Sequence, residues 1–354
     1  MANRTTLVVL FGGRSAEHEV SCISALHVLH AVDPDRYDVR AIGITRDGRW
    51  VDSTDAVAAL TGSAKALPSP DDSDSPALDP LPAVAAPGEV VVFPLLHGPM
   101  GEDGTVQGML ELAGIPYVGA GVLGSALSMD KGAANEVLAQ HGLVQAGWLS
   151  AREGDVDDAF IARVETELGL PAFVKPANLG SSVGVTKAHS VDELRTGLTE
   201  AFRYDEYVVV EEAITGREIE VAVLGNAQPR ASVPGEIVPG HEFYDFDAKY
   251  LDDGTDLFVP APLTPEQTEE VRALAVRAYR ALRADGMARV DFFFEEDGRG
   301  FLINEINTIP GFTPISMYPK LWEASGLPYA DLVDELVRLA LERHARRTRF
   351  DTKR

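Results

Sequence analysis

One stretch, residues 287–312 with the sequence MARVDFFFEEDGRGFLINEINTIPGF, constrains the fold more than any other part of the chain. Two β-rich runs flank Asp297-Gly298, which is a turn signal. A hairpin centred on Gly298 sets Asp291 opposite Glu305 and Arg289 opposite Asn307. Side chains alternate faces along a strand, so Arg289, Asp291, Glu305 and Asn307 share one face. Val290, Phe292, Phe294, Leu302 and Ile306 then line the other face as a core. Two carboxylates and an amide on one face are hard oxygen donors, the kind that hold Mg²⁺ beside phosphate oxygens, and Arg289 adds a fixed cation. The plainer reading is a solvated sheet face with a salt bridge. The apolar opposite face and the TIPGF that follows weigh against it.

Elsewhere the chain alternates Val/Ile-rich segments with helix-like ones: 7–11, then 15–31, then 37–45. That rhythm predicts βαβ units, a mostly parallel sheet and an α/β fold class. Residues 53–89, with PSPDDSDSPALDPLP at their centre, read as a surface excursion or poorly ordered insert without chemistry. Order resumes at EVVVFPLLHG, a buried strand, then a GPMGEDGT loop, a VQGMLELAG helix and a second strand, IPYVG, closing a first domain over 1–120. A second domain, 121–212, holds a helix near 128–141, the strand PAFVKP, a Gly/Ser-rich loop and the strand YVVVEE. A third, 213–354, holds the strand EIEVAVLG, a loop with Tyr, Phe, Asp and Lys, a helix over 265–285, the hairpin and an amphipathic helix over 329–344.

Charge narrows the partners. With 31 Lys and Arg against 55 Asp and Glu, the net charge of −24 argues against nucleic acid or an anionic membrane surface. Phosphate must therefore meet a few placed cations and backbone amides. A single cysteine excludes a disulfide scaffold, and apolar runs such as 90–96 fall far short of the ~20 residues that span a bilayer. No signal architecture precedes the first strand, so a cytoplasmic location is expected.

Lys175 ends an apolar strand and is followed by ANLGSSVGV, whose small residues let backbone N–H groups approach an anion. A strand lysine, a glycine-rich lid and a downstream Asp/Glu/Asn face are the parts of an ATP site without a Walker motif, and no Walker motif occurs. Two other matches are discounted. GAGVLG (119–124) fits a dinucleotide fingerprint but lacks the acidic strand end that ribose binding needs, so it reads as a turn packed against a helix. GSSVG (180–184) would make Ser182 a hydrolase nucleophile, but its flanks are a loop and a strand-like run, where an elbow needs a sharp strand-to-helix turn. Cys22 reads as a small buried residue, and His18 and His97 sit at strand-to-helix junctions.

Seven ordered segments, LFGGRSAEHEVS, LLHGPMGEDGTVQGMLELAGIPYVGAG, SALSMDK, FVKPANLGSSVGV, FYDFDAKY, ARVDFFF and INEINTIPGFT, strongly resemble the D-alanine:D-alanine ligases of the ATP-grasp fold. The resemblance implies a three-domain ATP-grasp fold with an N-terminal Rossmann-like parallel-sheet domain. It also implies ATP-driven joining of two D-alanines through a D-alanyl phosphate, for peptidoglycan precursors. By motif match, Lys131 and Lys175 would bind nucleotide phosphates beside Ser182 and Asn304. Glu211, Glu212 and Ile214 would face adenine, and Glu218 the ribose. Asp291, Glu305 and Asn307 would hold two Mg²⁺ or Mn²⁺ ions, with a monovalent cation left open. Glu17, supported by Ser181 and Tyr250, would take the ammonium of the first D-alanine, with His97 nearby. Arg289 and the Gly311 N–H would form the oxyanion site, Lys249 would reach the transferred phosphate, and Ser316 with Met317 would receive the second carboxylate. Relatives that make D-alanyl-D-lactate lack the tyrosine matching Tyr250, so an amine nucleophile is expected. The resemblance further implies a homodimer. A depsipeptide ligase, another ATP-grasp ligase, a serine hydrolase through Ser182 and a nucleotide-binding module without turnover are the competing readings.

Overall fold

The structure, a computed structural model, describes residues 4–59, 64–238, 256–313 and 315–351. Strands among these residues form three sheets. The first section runs β1 (Thr5–Gly12), α1 (His18–Ala31), β2 (Tyr37–Ile44), β3 (Trp50–Asp52), two short helices α2 (Thr54–Ala58) and α3 (Pro80–Val84), β4 (Val90–Pro94) and α4 (Thr105–Ala113). Its sheet has the order β3-β2-β1-β4, with β1 parallel to both neighbours and β3 an antiparallel edge. β1 and β4 are continuous apolar runs because both faces of a parallel sheet are covered. IPYVG forms only one parallel bridge, Tyr117 to Val92, in place of the expected strand.

The Pro/Asp-rich insert is a surface excursion, as one expectation had it, but an ordered one. Apart from 60–63 it lies within the described residues, and it folds onto the carboxyl ends of β1 and β2. Leu67, Ala83 and Val84 are buried, the Leu78 N–H donates to the Trp50 carbonyl at 2.8 Å, and Pro70 packs against Gly12 and Gly43. Composition concealed this because prolines there start helical turns, at Pro70 and Pro80.

The middle section comprises α5 (Val122–Met129), α6 (Lys131–Gln140), β5 (Trp148–Arg152), α7 (Asp158–Arg163), β6 (Ala172–Pro176), β7 (Thr186–Ala188), α8 (Val191–Ala201) and β8 (Tyr207–Glu212). The single helix expected at 128–141 is broken at Asp130, whose carboxylate accepts the Ala133 N–H at 2.9 Å and caps α6. The antiparallel sheet β5-β8-β6-β7 buries Ala172, Val174, Val208 and Val210 against Phe160, Leu194 and Leu198. Alternation turns Phe173, Lys175, Val209 and Glu211 to the opposite face.

The last section holds β9 (Arg217–Leu224), β10 (Arg230–Val238), β11 (Asp256–Phe258), α9 (Pro265–Ala281), β12 (Met287–Glu295), β13 (Gly300–Asn307), α10 (Met317–Ala324) and α11 (Tyr329–Thr348). The sheet order is β11-β10-β9-β12-β13, and Thr264 with Gln267 forms a capping box at the start of α9. The hairpin pairs Arg289 with Asn307 and Asp291 with Glu305, as its turn predicts. A bulge at Asn304 then shifts the register, so Phe292 faces Ile303. Leu302 is fully buried as expected but lies opposite Phe293 on the other face, and Phe301 and Ile303 join Phe292 and Phe294 on the apolar side. The bulge also turns both Asn304 and Glu305 toward the polar face. A shared core of β1, β4, Phe312, Trp322 and α11 locks the first and third sheets together.

Candidate active site

Ligands of open parallel sheets bind beyond the carboxyl ends of the strands. Here β1 and β4 are adjacent, and the segments leaving their carboxyl ends carry Glu17 and His97. Ser21 of α1 stitches the two ends: its hydroxyl accepts the Gly12 N–H at 2.8 Å and donates to the Leu95 carbonyl. Left-handed Gly12 allows the tight exit, since a Cβ there would lie 2.3 Å from the Ile44 carbonyl oxygen.

A cavity of about 520 Å³ opens at this edge, with walls from all three sections. It brings together Glu17, His97, Lys131, Ser181, Glu218, Arg289, Asp291, Asn304, Glu305, Asn307, Gly311, Ser316 and Met317. Lys175, Ser182, Glu211, Glu212 and Ile214 do not line it, and Lys249 and Tyr250 lie outside the described residues. Lys175 is nevertheless close enough for Glu218 and Glu305 to act on it electrostatically. Glu102, Glu220 and Lys320 line the cavity without having been singled out from the sequence. For Glu220 a signal existed: it is two residues from Glu218 on β9, hence on the same face.

The Glu17 carboxylate accepts the Ser181 hydroxyl, tying the first section to the loop after β6, and Gly98 and Gly180 leave room around it. Ser181 and Ser182 have φ of 50° and 58°, a left-handed pair costly for non-glycine residues. Ser182 thus sits in a turn between β6 and β7, without the strand-to-helix geometry of a nucleophile elbow. His97 Nδ1 donates to the Ile309 carbonyl at 3.0 Å and lies 3.9 Å from Glu102. The Ser24 hydroxyl, 3.4 Å from His97 Nε2, accepts the Phe312 N–H, so this cluster fixes the 309–312 segment carrying Gly311. Burial alone would lower the His97 pKa, but the carboxylates of Glu102 and Glu17 outweigh it and hold it above its ordinary value. The Glu102 carboxyl is pushed up by burial and by Glu17, against the pull of His97.

On the middle sheet, Lys175 Nζ contacts Glu211 at 2.6 Å. Burial opposes the lysine charge, and Glu211, Glu305 and Glu218 together raise its pKa despite that. Lys131 Nζ donates to the Leu179 carbonyl at 2.6 Å. On the third sheet, Arg289 forms a fork with Asp291, Nε to Oδ1 at 2.7 Å and Nη2 to Oδ2 at 2.6 Å, while Nε lies 3.1 Å from Glu220. Asp291 and Glu220 outweigh the effect of burial and hold the guanidinium firmly protonated.

Among the described residues no group of three or more His, Cys, Asp or Glu could hold a metal ion by itself. Mg²⁺ is usually held by one or two carboxylates plus substrate phosphates. Asp291 and Glu305, directly opposed on β12 and β13, and the amide of Asn307 supply such an open set of oxygen donors. GAGVLG leads into a helix instead of forming only a turn beside one: Gly121 is the N-cap of α5, and Gly124, within α5, lies against the backbone of Arg283 and Ala284. No helix among the described residues is long and apolar enough to cross a membrane.

Residues 6–120 match the family model of the D-ala D-ala ligase N-terminus, and residues 137–338 match that of its C-terminus. The chain is 48% identical over 356 residues to a D-alanine–D-alanine ligase of Geobacillus thermodenitrificans, covering 96% of each chain. It is 49% identical over 352 residues to the corresponding ligase of Bacillus licheniformis, covering 96% of this chain and 97% of that one. Of solved structures, the D-alanine-D-alanine ligase of Coxiella burnetii matches with a TM-score of 0.82 and 36% identity, covering 98% of this chain and 97% of that one. The VanG D-Ala:D-Ser ligase of Enterococcus faecalis matches with a TM-score of 0.84 and 35% identity, covering 96% and 100%. With both halves of the pattern in order along one chain, and relatives aligned almost end to end, the protein belongs to the D-alanine–D-alanine ligase family of the ATP-grasp fold.

Proposed function

We propose that this chain joins two D-alanines into D-alanyl-D-alanine, cleaving ATP to ADP and phosphate, to supply a peptidoglycan precursor. The observation that carries the reading is the convergence, in one cavity, of an ammonium acceptor (Glu17), a buried guanidinium (Arg289) and opposed carboxylates (Asp291 and Glu305). A carboxylate oxygen is a poor leaving group. Attack of the first D-alanine's carboxylate on the γ-phosphorus expels ADP and forms an acyl phosphate. The amine of the second D-alanine then adds to its carbonyl, and phosphate departs with the original carboxylate oxygen as the amine loses its protons.

In this reading Glu17 and Ser181 hold the first ammonium near His97. Arg289 and the Gly311 N–H meet the oxygen that becomes negative in the tetrahedral intermediate. Lys131 and Lys175, with Ser182 and Asn304, attend the nucleotide phosphates; Lys249 would reach the transferred phosphate, and Tyr250 would support Glu17. Glu211, Glu212 and Ile214 face adenine, and Glu218 the ribose. Asp291, Glu305 and Asn307 would hold magnesium or manganese, which would screen charge between phosphate oxygens. Ser316 and Met317 would receive the acceptor carboxylate. Met317 begins α10, and the hydroxyl of its N-cap Ser316 accepts the Thr313 N–H at 3.0 Å. A cytoplasmic homodimer is the setting proposed.

The likeness to a D-Ala:D-Ser ligase makes D-serine the second acceptor to test. An ADP-release assay with Mg²⁺ and D-alanine, L-alanine, D-serine or D-lactate, with products read by mass spectrometry, decides. D-alanine-dependent ADP with dipeptide mass supports the reading; no ADP above background, or equal ADP with L-alanine, sinks it.

A further inference from the structure

Three lysine or arginine side chains line the cavity: Lys131, Arg289 and Lys320. The protein itself engages the first two. Lys131 Nζ donates to the Leu179 carbonyl at 2.6 Å, and Arg289 forks onto Asp291 at 2.7 and 2.6 Å. Lys320 has neither a hydrogen bond nor an ion pair among the described residues.

Its place on α10 gives that ammonium a direction. Cα–Cβ bonds tilt toward a helix's N-terminus and positions four apart share a face, so the Lys320 side chain leans back toward Met317 and the N-cap Ser316. Tyr318, Leu321 and Trp322 anchor the helix in the shared core, which fixes the face that Lys320 turns to the cavity. Ser316 in turn lies beside the proposed oxyanion site, since its Oγ would be 2.7 Å from a Cβ on Gly311.

The acceptor's carboxylate needs more than Ser316 offers. The Ser316 hydroxyl accepts the Thr313 N–H at 3.0 Å and lies 2.8 Å from the Thr313 hydroxyl, so its single proton is contested within that turn. A carboxylate has about four acceptor positions, and an ammonium brings three donors. Charge sharpens the need. The acceptor arrives as a zwitterion, but its amine attacks only after losing a proton. What then sits in the cavity is a net anion, between walls that carry Glu17, Glu102, Glu218, Asp291 and Glu305.

From these observations we infer that Lys320 is a specificity-determining residue, whose ammonium pairs with the acceptor's carboxylate and makes a free carboxylate a requirement for the second substrate. The inference rests on the proposed ligase reading and on the proposed role of Ser316 in it.

The test is a competition between two acceptors in one vessel. D-alanine serves as donor and acceptor; D-alaninamide, which has the amine but no carboxylate, serves as acceptor alone. Mass spectrometry counts the two dipeptides. Their ratio, corrected for acceptor concentration, compares the acceptors after a common donor step, so a general loss of rate or stability cancels. In Lys320→Met the ratio should shift toward the amide by about tenfold, the worth of a charge-assisted hydrogen bond, and Lys320→Arg should keep the wild-type ratio. A shift below about threefold in Lys320→Met overturns the inference. So does an unshifted ratio with a raised KM for ATP, which would place the ammonium on a nucleotide phosphate. Should the variant make no dipeptide, binding decides. With ADP and Mg²⁺ present, calorimetry should show wild type preferring D-alanyl-D-alanine over its C-terminal amide by about tenfold, and Lys320→Gln losing that preference. Equal preference in both overturns the inference. Absence of dipeptide from the wild type would remove the functional reading and the inference with it, whereas dipeptide formed at an unshifted ratio removes only the role of Lys320.

Discussion

Replacing Lys175 by methionine tests whether the middle sheet was built around a charge. The ammonium and the Glu211 carboxylate are 2.6 Å apart, and their side chains are only 16% and 9% exposed. In the ladder Lys175 faces Val209, so Glu211 is its diagonal neighbour on the face turned away from the apolar core. Removing the cation strands a buried carboxylate, which costs about 3 kcal/mol or more. Since about 1.4 kcal/mol is a factor of ten, native-state hydrogen exchange of β6 and β8 peptides should quicken about 100-fold. Lys175→Met/Glu211→Gln should recover most of that, because neither charge is then buried alone. The pH dependence has a definite sign: Lys175 has a raised folded pKa, so its stabilisation is present below the ordinary lysine value and is lost as pH rises through the raised one. Wild type and Lys175→Met should therefore converge in strong alkali. Exchange within about threefold of wild type for the single variant, or a double variant exchanging as fast as the single, would refute the reasoning.

Arg289→Lys keeps the charge and loses the fork to Asp291, so kcat should fall about 10²- to 10³-fold with little change in the KM for ATP, read by steady-state kinetics. Ser181→Ala removes the hydroxyl that donates to Glu17 and should raise the KM for the first D-alanine about tenfold while thermal stability holds. Cys22 is buried, and its thiol is pushed up to about 12 chiefly by that burial. It should react with a disulfide reagent only as fast as the protein unfolds, and stoichiometric labelling of the native protein within minutes would contradict its placement.

How far the sequence could be read depended on the range of the forces involved. Alternation and a two-residue turn signal are local, so the pairing of Asp291 with Glu305 and of Arg289 with Asn307 was visible in the residue order. The bulge at Asn304 was not, because it is settled by packing Ile303 and Phe301 against α9 and the adjoining core. Hydrophobic runs announced the parallel sheet, whereas the Pro/Asp-rich insert hid its few buried anchors, Leu67 and Val84, in a composition that resembles disorder. Glu102 acquires its surroundings only when α1, β4 and the 309–312 segment meet, and no spacing in the chain encodes that meeting.

The central claim is that the carboxylate of one D-alanine is activated as a phosphate anhydride within the cavity that Glu17, Arg289 and Asp291 line. D-alanine labelled with ¹⁸O in its carboxylate tests it most directly, with inorganic phosphate analysed by mass spectrometry after turnover with ATP. The account predicts one ¹⁸O in phosphate for each dipeptide formed, since the departing phosphate keeps the oxygen that attacked ATP. Dipeptide formed with unlabelled phosphate, or with AMP and pyrophosphate in place of ADP, would contradict it.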